Sequence, residues 1–453
     1  MAADRLVAPL LFEVRACQLL VSCGAASLAD IPTAWFADLR RLGFDFLYLL
    51  GVWTTGQAGL AHSIRLGVDP SVAVSSPFAV TSYHVCPELG GDAALRVFRQ
   101  QANRVGLRVI CDFVCNHVAT DHDWTRSYPH LFVQGTDSEA MRHPERYFKA
   151  EEGGPWLAHG RDMHSAAGWR DTAQLNLRHP HTRALMRGIL VYMASSGLMD
   201  GARCDMAMLA LSSVMAKTWG DLPLSLPGPF PIPPLTADLP DMYPAAAPPS
   251  VGIFLRSDSS TSSSTIAPSA VAAAAAGKMP AAAPPVPPMS LTGISLATES
   301  PVPGQGAVRL DSNEKLAPVI DEEWWEDAIV GVRAVAPGFV CIAECYWDLE
   351  HILLSAGFDY SYDKTLYDRL HTGDAQAVLS HLRAPLSWQQ RLVRFTENHD
   401  EQRACFLHRG GPRGAAAAAA VAYASAGAWA GMPAALCGVC CACALSCRAR
   451  ARM

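Results

Sequence analysis

The stretch Gly201-Ala-Arg-Cys-Asp205 decides how the rest of the chain is read. Its neighbours, Leu198-Met-Asp200 before it and Met206-Ala-Met-Leu209 after it, describe a short buried strand running into a loop. On a strand alternate side chains share a face, so Arg203 and Asp205 project together. A guanidinium beside a carboxylate keeps it ionised and fixes its orientation, as a carboxylate nucleophile at a strand end requires. Alone, an R-x-D pair reads more readily as a surface salt bridge of small consequence.

Three further stretches share its design. Upstream is Val109-Ile-Cys-Asp112-Phe-Val-Cys-Asn116-His117, and downstream are Phe339-Val-Cys-Ile-Ala-Glu344 and Arg394-Phe-Thr-Glu-Asn398-His399-Asp400. Each is a short apolar run whose C-terminal end carries an acid, a His or an Arg. In a (β/α)8 barrel that end of the strands is where active sites are built. In this order the four stretches resemble the conserved regions of the α-amylase family of glycoside hydrolases.

The resemblance implies an α/β fold, a (β/α)8 TIM barrel with a small subdomain inserted after strand 3. It implies a retaining reaction, in which one carboxyl group attacks the anomeric carbon and another protonates the leaving oxygen and later activates water. By position Asp205 matches the nucleophile, Glu344 the general acid/base and Asp400 a third carboxylate that binds sugar hydroxyls. Arg203 would orient Asp205, and His117 and His399 would bond the same sugar ring. Phe78, in Ser75-Ser-Pro-Phe78, stands where relatives usually have a stacking Tyr, and keeps the ring without the hydroxyl. Relatives also have an Asp near Ser82. Asn116 matches a residue that in many relatives helps hold calcium at the base of the subdomain. A hard cation needs several oxygen ligands, and the family's His or Lys four residues after the nucleophile is Leu209 here, so the resemblance leaves calcium open.

Working outward, strand and helix signals alternate. Residues Ala8–Leu20 read as a first strand, Asp30–Gly43 as a helix with Pro32 near its start, and Phe44–Val52 as a second strand. Gly91–Val105 is a helix with Leu95, Phe98 and Ala102 on one face, followed by the strand Leu107–Val114. Such alternation with short connections predicts a parallel sheet covered by helices. The division is residues 1–118, the first part of the barrel; 119–176, a protruding subdomain rich in Gly, Pro, His and Trp; and 177–221, the strand 4 region. Residues 222–318 are a Pro/Ala/Ser-rich insertion whose composition predicts disorder. Residues 319–436 are the second part of the barrel, and 437–453 a Cys/Arg-rich tail. The eighth strand and the family's C-terminal β domain are expected to be missing or replaced, because Pro433 is followed by a Cys-crowded segment and a basic tail. Cys437 and Cys440 have C-x-x-C spacing but lack the second pair of a zinc module.

At 453 residues, with half of them hydrophobic and 17% charged, the chain suits a globular enzyme with a large core. A net charge of −6 and the lack of a Lys/Arg block in the barrel-like part speak against nucleic acid. The 14 cysteines form no even framework, and Cys111, Cys115, Cys204, Cys341 and Cys345 fall in or beside apolar strands. That predicts reduced thiols and a cytoplasmic or other reducing compartment. Asp4 and Glu13 argue against a signal peptide. The uncharged run Gly414–Ser446 is long enough to span a membrane but is dominated by Ala and Gly, so a barrel helix is expected there instead.

The expected function is therefore hydrolysis of α-glucosidic bonds in α-glucans or maltooligosaccharides. Transglycosylation or isomerisation on the same scaffold, and non-catalytic carbohydrate binding on an incomplete barrel, stay open as alternatives.

Overall fold

The computed structural model of the protein describes residues 8–70, 73–220 and 323–431. The insertion expected at 222–318, the tail at 437–453 and any C-terminal β domain lie outside the described residues. In chain order the framework is β1 (Leu10–Arg15), α1 (Ala16–Cys23), α2 (Thr33–Arg41), β2 (Phe46–Leu50), α3 (Gly91–Arg104), β3 (Arg108–Val114), α4 (Pro180–Ser195), β4 (Gly201–Asp205) and α5 (Ser212–Trp219). It continues with α6 (Trp324–Val335), β5 (Val340–Ala343), β6 (Tyr360–Tyr362), α7 (Lys364–Thr372), β7 (Leu392–Arg394), α8 (Pro412–Ala424) and β8 (Ala428–Gly431). The eight strands pair in parallel, each with the next, and β8 closes on β1.

Local chemistry sets most of these boundaries. The α3 helix has Asp92 in its first turn, where the helix dipole favours an acid, and buries Ala94, Leu95, Phe98 and Ala102 along one stripe. A fully buried Phe such as Phe98 contributes roughly 1.5–3 kcal/mol relative to exposure. The first strand is shorter than the sequence suggests. It stops at Arg15, and Ala16-Cys-Gln-Leu-Leu-Val-Ser-Cys23, whose Ala, Gln and Leu residues favour helix, turns into α1, ended by Gly24 at φ +61°.

The period-2 alternation of the strands divides the interior in two. Leu11, Phe46, Tyr48, Leu50, Ile110 and Ile342 point into the barrel, while their neighbours pack against the helices. Gly201 opens β4 because a Cβ there would lie 2.5 Å from both the Val340 carbonyl oxygen and Ile110 Cδ1. Cys111, Cys115, Cys204, Cys341 and Cys345 are buried free thiols, used as small core residues.

The eighth strand is present, which corrects the expectation that it is missing or replaced. It is Ala428-Trp-Ala-Gly431, with Leu10 opposite Trp429 and Phe12 opposite Gly431. Ala428 and Ala430 face the interior, where Phe46, Tyr360, Tyr362 and Phe395 already fill the space. Trp429 turns outward against Tyr423 of α8, ring centroids 5.4 Å apart. Small inward residues are what this layer needs, so the strand lacks the β-branched signature that marks strands in sequence. It also splits the uncharged run: α8 has 13 residues, and among the described residues no helix is long and apolar enough to cross a membrane.

Between β3 and α4 the chain leaves the barrel. His117–Ala119 pairs antiparallel with Thr172–Gln174, and Gln134–Gly135, Tyr147–Lys149 and Trp156–Ala158 form a small three-stranded sheet.

Candidate active site

Inward-facing positions at the C-terminal ends of the strands carry the polar residues. Arg203 and Asp205 occupy alternate positions of β4 and share its inner face, as the spacing predicts. Asp112 lies opposite Arg203 in the β3–β4 register. Glu344 follows directly on β5, and His399 and Asp400 lie in the loop after β7.

Arg203 is the hub. Its Nη1 lies 2.8 Å from Asp205 Oδ1 and 3.4 Å from Asp112 Oδ1, and its Nη2 lies 2.5 Å from Glu344 Oε1. The rings of Phe78, Tyr362 and Tyr48 surround the guanidinium, their centroids 5.4, 5.6 and 6.0 Å from its carbon. Aromatic faces stabilise a cation that has lost its water. Tyr48 donates to Asp112 Oδ1 at 2.5 Å and the Gly51 N–H donates to Oδ2, so Asp112 is a brace for the layer.

Glu344 is anchored at both oxygens. Oε2 accepts the Met206 main-chain N–H at 2.6 Å, and Oε1 accepts the Tyr346 hydroxyl at 3.0 Å. Met206 adopts φ +42°, a left-handed conformation uncommon for a non-glycine residue, and this turn directly after Asp205 aims its N–H at Glu344. Asp205 and Glu344 are only 4% and 1% exposed, whereas the Asp400 side chain is 32% exposed.

The electrostatics separate the three acids. Burial pushes Glu344 up to about 7, with Arg203 opposing and Asp205 and Asp400 adding to the rise. Burial likewise pushes Asp205 up to about 6 against the pull of Arg203. For Asp400 burial would act in the same direction, but the adjacent His399 outweighs it and keeps the carboxyl below the usual carboxylate range. The site thus offers a carboxyl group protonated near neutrality, a second ionised there, and a third firmly ionised.

Arg203, Asp205, Glu344, His399, Asp400 and Phe78 are thus brought together; the Phe78 ring lies 5.6 Å from that of His399. His117 lies at the edge. It is buried, bonds the Phe78 main chain, and packs edge-on against Trp169 at 5.4 Å; burial pushes its pKa down to about 4, so it is neutral. Asn116 stands apart. Its Oδ1 and main-chain oxygen accept the Gln174 side-chain amide at 2.8 and 2.9 Å, and its own amide faces Gln174 Oε1 at 3.3 Å. Both Asn116 oxygens thus have a hydrogen-bond partner within the chain, and among the described residues no three His, Cys, Asp or Glu side chains are grouped as metal ligands.

Sequence reasoning missed Glu13, Tyr48, Tyr346 and Tyr362. Glu13 had a signal, a lone acid inside the apolar run Leu10-Leu-Phe-Glu-Val14. The tyrosines look like ordinary core residues until the barrel closes.

The family described as "Alpha amylase, catalytic domain" matches residues 39–221. An alpha-1,4-glucan:maltose-1-phosphate maltosyltransferase from Rhodospirillum rubrum is 32% identical over 123 residues, 24% of this chain and 17% of that protein. A trehalose-6-phosphate hydrolase from Escherichia coli is 25% identical over 184 residues, 38% of this chain and 30% of that protein. The chain therefore spans less than a third of the length of either relative. Among solved structures, an alpha-amylase from Lactobacillus plantarum superposes with a TM-score of 0.53 at 16% identity, covering 94% of this chain and 71% of the other. The ligand-free cyclic alpha-maltosyl-(1→6)-maltose hydrolase from Arthrobacter globiformis gives 0.54 at 13% identity, covering 96% and 75%. These two likenesses are of fold.

Proposed function

We propose that the chain is an α-amylase-family enzyme, its residues 39–221 matching that family's catalytic domain, and that it cleaves α-glucosidic bonds of α-glucans or maltooligosaccharides with retention of configuration. The observation that carries the reading is the single guanidinium of Arg203 spanning Asp205 and Glu344. One guanidinium reaching both carboxyl groups holds them near each other, which supports the close pair of a retaining enzyme, about 5–5.5 Å apart, over the roughly 6.5–9.5 Å that admits an attacking water.

The ionised Asp205 attacks the anomeric carbon while protonated Glu344 gives its proton to the leaving glycosidic oxygen. A glycosyl ester on Asp205 results. Glu344, now ionised, takes a proton from water, and that water's oxygen displaces Asp205 from the anomeric carbon. Asp400 and His399 bind sugar hydroxyls, and Phe78 supplies the face on which a ring stacks. With both Glu344 oxygens accepting hydrogens, the arrangement described is that of the ionised acid/base.

Transfer to a sugar acceptor is the second reading, favoured by the near-complete burial of Asp205 and Glu344, which limits water at the intermediate. One curated relative is named a transferase and the other a hydrolase. The closed barrel removes the ground for a non-catalytic reading built on a missing strand. The test is product analysis of the purified protein with maltooligosaccharides, with Asp205→Asn as control and NMR to identify the first anomer. Release of α-anomers supports the reading, transfer products decide between its two forms, and β-anomers overturn it.

A further inference from the structure

Glu13 is a carboxyl group in the middle of a barrel strand, 1% exposed, opposite Tyr48 in the β1–β2 register. Its inward neighbour on β1 is Leu11, part of a layer of Leu, Ile, Val, Ala and aromatic rings on which the charged residues sit. A carboxyl group in such surroundings costs several kcal/mol unless it is paired. Its partner is His399: Glu13 Oε1 lies 2.5 Å from Nδ1, and Nε2 of the same ring lies 3.1 Å from Asp400 Oδ2. The β1 strand and the loop after β7 are not sheet neighbours, since β8 runs between them. The link therefore crosses the barrel mouth, and no backbone pairing enforces it.

We propose that Glu13 is a positioning residue for the reaction, fixing the His399 imidazolium so that its far nitrogen faces Asp400. This rests on the functional reading above, which assigns Asp400 and His399 to the sugar. An imidazole ring with one nitrogen free can rotate and can take either tautomer. A carboxylate on Nδ1 removes both freedoms and stabilises the doubly protonated ring. The imidazolium in turn keeps Asp400 ionised for sugar hydroxyls.

The charged surroundings fit this division. Arg203 on β4 is a second cation in the layer. Asp112 on β3 and Glu344 after β5 face His399 at longer range, and both experience its positive charge. Tyr48 packs edge-on at 6.3 Å and Phe78 lies tilted at 5.6 Å, neither offering Nδ1 an ion pair. Tyr362 on β6 is turned to Arg203. Glu13 and Asp400 are thus the acids in direct contact with the ring, and burial alone would drive His399 toward neutrality. The two carboxylates reverse that and raise its pKa well above the ordinary value.

The test uses the full chain with Glu13→Gln, which keeps shape and removes charge. Histidine-labelled NMR follows the His399 ring, assigned by its loss in His399→Gln. The wild-type ring is expected to stay doubly protonated well above the ordinary histidine range, and the ring in Glu13→Gln to titrate at lower pH than in the wild type. On maltooligosaccharides kcat should fall roughly 10- to 100-fold, the range for losing an orienting carboxylate, with KM changed less. If Glu13→Gln fails to fold, Glu13→Asp, which withdraws the carboxylate by one methylene, must shift the ring in the same direction by less. An unshifted His399 titration in the folded variant overturns the proposal. The NMR arm reads the Glu13–His399 link without turnover, so an inactive wild type would sink the functional reading and leave this measurement to judge Glu13.

Discussion

Glu344 and Asp205 titrate close together, at about 7 and about 6, so their macroscopic pKa values belong to the pair. Turnover needs Asp205 ionised and Glu344 protonated, which predicts a narrow bell-shaped profile peaking between about pH 6 and 7. Glu344→Gln should abolish the alkaline limb and spare substrates with good leaving groups, measured as kcat/KM against pH on activated and unactivated glucosides. Equal losses on both would remove Glu344 as the acid. The same shifts have a cost in stability. Both acids have folded pKa values above their unfolded ones, so the native state holds more protons, and stability falls as pH rises from the ordinary carboxylate range through about 6 and 7. Asp205→Asn should therefore lose nearly all turnover yet gain on the order of 1–3 kcal/mol at pH 8, read by denaturant unfolding. A destabilised Asp205→Asn at that pH would show that its charge supports the fold.

The element with the least sequence signal is β8. Its four residues bury Trp429 against Tyr423 and place Ala428 and Ala430 in a layer crowded with rings. Trp429→Ala should cost about 3–5 kcal/mol through the cavity it leaves. Ala430→Phe should cost about 1–3 kcal/mol by overpacking, and should lower activity because that layer lies directly beneath the acids. Both are checked by urea unfolding with activity measured in parallel. Native stability in Trp429→Ala would mean that the barrel does not depend on this strand for closure. The catalytic-face strands were legible because their sequences are apolar runs ending in acids. Strand 8 was not, because its inward residues had to be small and carry no polar mark.

For the molecule as a whole, the protruding subdomain is tied to the barrel by the Asn116–Gln174 amide pair, both residues buried. An amide pair needs no metal to satisfy its oxygens, so exhaustive chelation should leave the melting temperature unchanged. Gln174→Leu should lower stability by about 1–3 kcal/mol, the penalty for a buried amide left without partners. A Tm that drops on chelation and returns with calcium would disprove this account. The barrel itself gathers Glu13, Arg203, Glu344 and His399 from β1, β4, β5 and the loop after β7 into one enclosed cluster. Burial there raises Asp205 and Glu344 while His399 lowers Asp400, and those opposed shifts separate the three acids in function.

What the sequence determined by itself was the period-2 face of each strand and the acid at its end. Side-chain alternation is a local property of extended backbone, so Arg203 and Asp205 share a face whatever surrounds them. Tertiary structure decided everything that depends on closure. Only when β8 meets β1 does Glu13 come within 2.5 Å of His399, 386 residues away along the chain. Only then do Tyr48, Tyr362 and Phe78 enclose Arg203. Burial, which raises Glu344 and Asp205, is a property of the closed barrel, and no single strand carries it.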